Sequence, residues 1–110
     1  MKIIVLITAE DESQAKKISI KLLENKLVAC CNIIKDVKSF FWWNSKIDSS
    51  SEVMLVAKTT KKLFSKVVKL TKKYHSYDVP EIIALPIVDG SQDFLKWIDT
   101  SVSDQGECYE

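Results

Sequence analysis

The chain has 110 residues, 46% of them hydrophobic, which suits one compact domain of ordinary size. Sixteen lysines nearly balance fifteen acids, and a formal charge of +1 gives no overall pull toward nucleic acid or an anionic membrane. There is no arginine, so the planar fork that grips phosphate or guanine edges bidentately is excluded.

The opening MKIIVLITAED lacks the apolar length and cleavage site of a signal peptide, and no apolar run nears the ~20 residues of a membrane helix. A cytoplasmic protein is expected. Residues 2–9, KIIVLITA, read as a central strand buried on both faces. Asp11 with Gln14 three residues on forms a capping box that starts a helix. Ala15, Ile18, Leu22 and Leu23 share that helix's apolar face, and Asn25 is a left-handed stop. LVACCNII begins a second strand, KDVK bends or bulges it, and VKSFFWW resumes it. Asn44-Ser45 is a two-residue turn. KIDSSSEVMLVAKTT returns as the third strand, with Ser49-Ser50-Ser51 a loose or bulged start. Thr60 caps a second helix whose stripe is Leu63, Phe64, Val67, Leu70 and Tyr74. HSYDVPE is a loop. EIIALPIV is a fourth strand, placed at a sheet edge or bulge by Pro86. Asp89-Gly90 turns the chain and Ser91 caps a third helix. The polar end, residues 103–110 with Cys108, reads as a flexible tail of a single domain spanning 1–110.

The order β-α-β-β-α-β-α predicts an α+β ferredoxin-like sandwich, an antiparallel sheet with helices on one face. Its hairpin is too long for it. Strand two, from about Val28 to Trp43, would span about 50 Å at roughly 3.3 Å per residue. A domain of this length is about 35 Å across. Phe40 and Trp42 point one way and Phe41 and Trp43 the other, so a projecting tip exposes aromatics on both faces. Either the strand bends sharply near Lys35-Asp36 and buries them in its own core, or the tip reaches past the domain and a partner covers them; the partner is the expected solution.

Three cysteines, Cys30, Cys31 and Cys108, form neither a disulfide framework nor a four-ligand zinc site. His75 stands alone in YHSYDVPE, beside Tyr77, Asp78 and Glu81. It serves a metal only with carboxylate or thiolate help, or with copies from other subunits. A loop histidine without a metal is an equally good reading. Lys58, closing strand three, reads first as a solvated end residue. No Walker loop, GxGxxG or nucleophile-and-base pattern is present. The aromatics do not form the RNA-binding signature of an RRM.

These segments together, LVACCNII, FFWWNSKI, EVMLVAKTT, YHSYDVPEIIALPI and a closing FLKWI, resemble the CutA family of divalent-cation tolerance proteins over nearly the whole chain. The resemblance implies a homotrimer of ferredoxin-like subunits whose long hairpins wrap onto neighbours, with Phe40, Phe41, Trp42 and Trp43 at the interface. It implies a cleft between subunits lined by Lys58, Tyr77, Glu81 and Trp97. It implies weak binding of a divalent metal, copper or zinc, with His75, Glu81 and Cys30 as available ligands, and no catalysed reaction, nucleic acid or membrane. Ile7 and Tyr74 occupy positions where metal-binding relatives carry a cysteine and a histidine, and Ser76 replaces a proline. A likeness of the trimer to PII signalling proteins implies the alternative, a sensing or scaffolding trimer that binds a small ligand or partner protein in its clefts.

Overall fold

The computed structural model describes residues 1–103. Its elements are β1 (Lys2–Ala9), α1 (Glu12–Glu24), β2 (Cys30–Trp43), β3 (Lys46–Thr60), a short 3-10 turn (Lys61–Leu63), α2 (Phe64–Tyr74), β4 (Ile82–Pro86) and α3 (Gln92–Ser101). The sheet runs β2-β3-β1-β4 and every pairing is antiparallel. This is the expected α+β ferredoxin-like order, with β1 central and β4, ending at Pro86, on the edge.

Strand alternation assigns the two faces of the sheet. Ile3, Val5, Ile7 and Ala9 lie beside Val53, Leu55, Ala57 and Thr59, and all are buried. Ala15, Ile18 and Leu22 of α1, Leu63, and Val67 and Leu70 of α2 close over the apolar members of that face to make the core. Each fully buried Val, Leu or Ile side chain contributes about 1.5–3 kcal/mol by leaving water. The opposite face carries Ile4, Leu6, Ile34, Met54, Val56, Ile83 and Leu85. Lys2 belongs to this second face, and its Nζ pairs with Asp99 Oδ2 at 2.8 Å, which brings α3 to that side, so the expectation that all the helices lie on one face holds for α1 and α2 but not for α3. Ile34, Ile83 and Leu85 nevertheless remain about half exposed. β1 is thus central as expected, but only one of its faces is fully buried within the chain.

Several local expectations are corrected. Asp11 caps α1 by accepting from Gln14 N–H at 2.8 Å, but the Gln14 side chain turns away to the loop after α2. Leu23 is exposed and Ser19 is buried in its place, its hydroxyl satisfied by the Ala15 carbonyl at 2.8 Å. The left-handed residue is Lys26, φ 59°, and not Asn25, whose side-chain amide donates to the Lys21 carbonyl instead. Ser49, Ser50 and Ser51 are regularly paired with Phe40, Ser39 and Lys38. Thr60 precedes the 3-10 turn without making a side-chain cap. Of residues 103–110, Ser103 donates its N–H to the Lys26 carbonyl at 3.0 Å. The remainder, with Cys108, lies outside the described residues.

Thr71 on α2 is 1% exposed and its hydroxyl has no hydrogen-bond partner among the described residues. Valine has the same shape and a similar helix propensity. Thr71→Val therefore raises stability by about 1 kcal/mol, read as a higher urea midpoint at unchanged slope.

Candidate functional site

The β2–β3 hairpin departs from a regular ladder at one place. Ile34 pairs with Met54 and the next pair is Val37 with Glu52, so β2 carries one extra residue, and Asp36 takes φ 62°. The extra residue exchanges the faces of β2 beyond it. Phe40 and Trp42 consequently share a side with Ser49 and Ile47, and Phe41 and Trp43 share the other with Asp48 and Lys46. Asn44 and Ser45 close the tip with φ of 50° and 63°, as a two-residue turn of this hand requires. The aromatics do not fold back into the core. Phe40 and Trp42 are each 73% exposed, Trp43 is 57% and Phe41 38%. The molecule measures 44 × 32 × 22 Å, longer than the 35 Å expected of a compact domain.

An open groove of about 910 Å³ runs along the tip, lined by the four aromatics and by Tyr77, Asp78, Val79 and Glu81 of the loop after α2. That loop is tied at three points. The Thr8 carbonyl lies 2.7 Å from His75 Nε2, and His75 Nδ1 lies 3.1 Å from the Tyr77 N–H that it accepts. A nitrogen accepting from an N–H carries no proton, so Nε2 holds the proton and donates to Thr8. The imidazole and Tyr77 rings are 4.8 Å apart and tilted. The Tyr77 hydroxyl donates to Glu52 Oε2 at 2.7 Å, and Glu52 is only 8% exposed. Burial first, and then the Glu52 carboxylate beside it, push the Tyr77 phenol well above its ordinary range. Ser76 Oγ donates to Gln14 Oε1 at 3.1 Å, joining the loop to the start of α1.

The anticipated residues divide into separate places. Tyr77 and Glu81 line the groove with the aromatics. Cys30 and Lys58 pair across β2 and β3, and Lys58 Nζ donates to Asn32 Oδ1. Lys58 also faces Ile4 of β1, four residues from Thr8 and thus about 13 Å along the strand from the carbonyl that His75 binds. Trp97 packs on Phe94 within α3, ring centroids 5.4 Å apart. One chain does not gather His75, Glu81 and Cys30: among the described residues no three His, Cys, Asp or Glu side chains are grouped to hold a metal. Cys31 faces the core, where burial pushes its thiol up to about 11, partly offset by a hydrogen bond with Ser19. Glu52, Thr8 and Gln14 were not anticipated. Their partners are 25, 67 and 62 residues away in the chain, and only the alternation of β3 put Glu52 on a definite face.

Residues 3–101 match the CutA1 divalent ion tolerance protein family. The chain is 44% identical over 98 residues to the divalent-cation tolerance protein CutA of Archaeoglobus fulgidus, covering 89% of this chain and 95% of that one. It is 39% identical to the protein of that name from Thermus thermophilus, again over 89% and 95%. Among solved structures, the Thermus thermophilus divalent cation tolerance protein superposes with a TM-score of 0.92 at 37% identity, covering 94% of this chain and all of that one. The Archaeoglobus fulgidus structure, described as a periplasmic divalent cation tolerance protein, gives 0.91 at 43% identity, covering 94% and 100%.

Proposed function

Because this chain belongs to the CutA1 family of divalent ion tolerance proteins, we propose that it serves metal tolerance as a homotrimer that binds copper or another divalent ion weakly and catalyses no reaction. The hairpin tip carries this reading. Four exposed aromatics on two faces need cover, and the half-open apolar face of the sheet needs it too. Neighbouring copies of the same chain supply both. Cytoplasmic residence belongs to the same proposal, and cell fractionation separates it from the periplasmic placement given for the Archaeoglobus relative.

The state of His75 supports the weak-binding part of this reading. Thr8 fixes the Nε2–H tautomer, which leaves the lone pair on Nδ1, an arrangement that suits a metal ligand held by a backbone carbonyl. That lone pair is already engaged by Tyr77 N–H at 3.1 Å, so a metal ion must displace a hydrogen bond worth about 1 kcal/mol. Further ligands, Glu81 and Cys30 among them, must come from more than one copy of the chain. Isothermal titration of copper or zinc into the wild type is expected to show weak binding that His75→Ala abolishes. Identical isotherms for the two proteins would remove His75 as the ligand.

A second reading is favoured by the groove itself, whose aromatic and carboxylate lining suits a small ligand or a partner protein better than a bare ion. A thermal-shift screen of metabolites against metals separates the two, since a ligand stabilises in proportion to its saturation. Stabilisation by a metabolite without response to any metal would replace the first reading by the second.

A further inference from the structure

The near-zero net charge conceals a strong segregation. From Val53 to Tyr77 the chain contains seven lysines and no acid. Six of them, Lys61, Lys62, Lys66, Lys69, Lys72 and Lys73, lie on the 3-10 turn and α2. Of the apolar stripe of this segment, Leu63, Val67 and Leu70 are turned into the core and Phe64 and Tyr74 pack partly buried against it, so its outer side is basic. Lys62, Lys69, Lys72 and Lys73 are exposed and take no part in an ion pair among the described residues. Lys62 and Lys73 stand about 16 Å apart along the axis at 1.5 Å per residue. At the end of the row α1 adds to it. Lys17, Lys21 and Lys73 place their ammonium groups 5.5, 5.6 and 5.8 Å from the centre of the Tyr74 ring. Of these, Lys21 has the Glu24 carboxylate 3.8 Å away. Like charges so arranged repel one another, and an anion lying along them relieves the repulsion.

The chemistry of the row selects among anions. Lysine is a compact point charge on a flexible stem and makes no planar bidentate contact. Without arginine the surface has no fork for base edges. Of its two aromatic rings, Tyr74 is already occupied by three ammonium groups and Phe64 packs against the core, so neither offers a free face for a base to stack on. No large apolar side chain of α2 is exposed, so the helix has no apolar face to lay into a bilayer. A chain of phosphates without bases or acyl tails fits what remains. We propose that the outer face of α2, continued by Lys17 and Lys21 of α1, is a docking surface for linear inorganic polyphosphate.

The test measures anisotropy of end-labelled polyphosphate with the full-length wild type and two triple variants of equal charge change. Lys62→Gln, Lys69→Gln and Lys72→Gln remove the row. Lys35→Gln, Lys38→Gln and Lys96→Gln remove three lysines elsewhere. All six side chains are exposed, and circular dichroism checks that both variants fold. The row variant is expected to bind at least tenfold more weakly and the control within twofold of wild type. Wild-type affinity should fall linearly in log salt, as counterion release requires. Equal losses in the two variants, or no loss in the row variant, overturn the proposal. So does a thymidine oligonucleotide binding tenfold tighter at equal phosphate number, which reassigns the surface to nucleic acid. Binding to anionic phosphatidylglycerol vesicles with none to polyphosphate overturns it in favour of a membrane.

Discussion

Phe40→Ser together with Trp42→Ser is expected to lower the light-scattering mass from that of three chains to that of one at micromolar concentration. Both side chains are 73% exposed in the isolated chain, so their loss leaves the subunit's own core untouched, and circular dichroism should not change. What they lose is the burial that neighbouring copies would provide in the proposed trimer. Covering a large apolar side chain contributes about 2 kcal/mol, so the pair contributes about 4 kcal/mol per subunit and about 12 kcal/mol per trimer. At 1.4 kcal/mol per factor of ten, this moves association by more than eight powers of ten. Ser is tolerated at an exposed strand position, as Ser49, Ser50 and Ser51 opposite already show. A three-chain species that persists in the double variant, or a wild type that is itself monomeric, would remove the hairpin tip from the proposed interface.

Tyr77→Phe is expected to cost about 2 kcal/mol, because it strips the donor from a carboxylate that is 8% exposed. Glu52→Gln keeps an acceptor for the phenol and removes the charge, so it should be nearly neutral. In the Glu52→Gln background the cost of Tyr77→Phe should shrink to that of an ordinary hydrogen bond, about 1 kcal/mol, and a double-mutant cycle of urea midpoints measures the difference. The pH dependence has a definite sign. The folded phenol is raised above its ordinary value, so above about pH 10 the unfolded chain loses this proton while the folded chain keeps it. Tyr77 thus contributes stability that is full below pH 10 and declines as pH rises. The difference between wild-type and Tyr77→Phe stability should narrow above pH 10. A difference that stays constant to pH 11 would show that the phenol is not held by Glu52.

How far the sequence revealed this molecule depends on the range of the physics involved. Asn44 tolerates positive φ, so the hairpin tip could be placed from one dipeptide. Pro86, with no N–H to donate, limited β4 to an edge or a bulge, and the strand lies at the edge. The apolar stripe of α2 followed from the helical period. The errors came where a side chain found a partner that periodicity does not see. Ser19 turns inward because the Ala15 carbonyl satisfies its hydroxyl, and Leu23 is displaced from the core face. Asn25 spends its amide on the Lys21 carbonyl and leaves the left-handed position to Lys26. Around the groove the decisive contacts, His75 to Thr8 and Tyr77 to Glu52, join residues brought near only by the finished sheet. The residue types at the site were visible in YHSYDVPE, but the commitment of both imidazole nitrogens was not.

The two-residue turn at Asn44-Ser45 has a kinetic consequence. It makes the β2–β3 ladder the most local part of the sheet, since Trp43 meets Lys46 across a gap of two residues while Ile3 must find Pro86. Hairpins form in about 1–10 μs, and contacts distant in sequence wait for longer loops to close. The adhesive end of the molecule therefore takes shape before the core that carries it. Chains emerging close together in space can meet tip to tip while their β1 and β4 edges are still unpaired, so refolding yield should depend on protein concentration even where final stability does not.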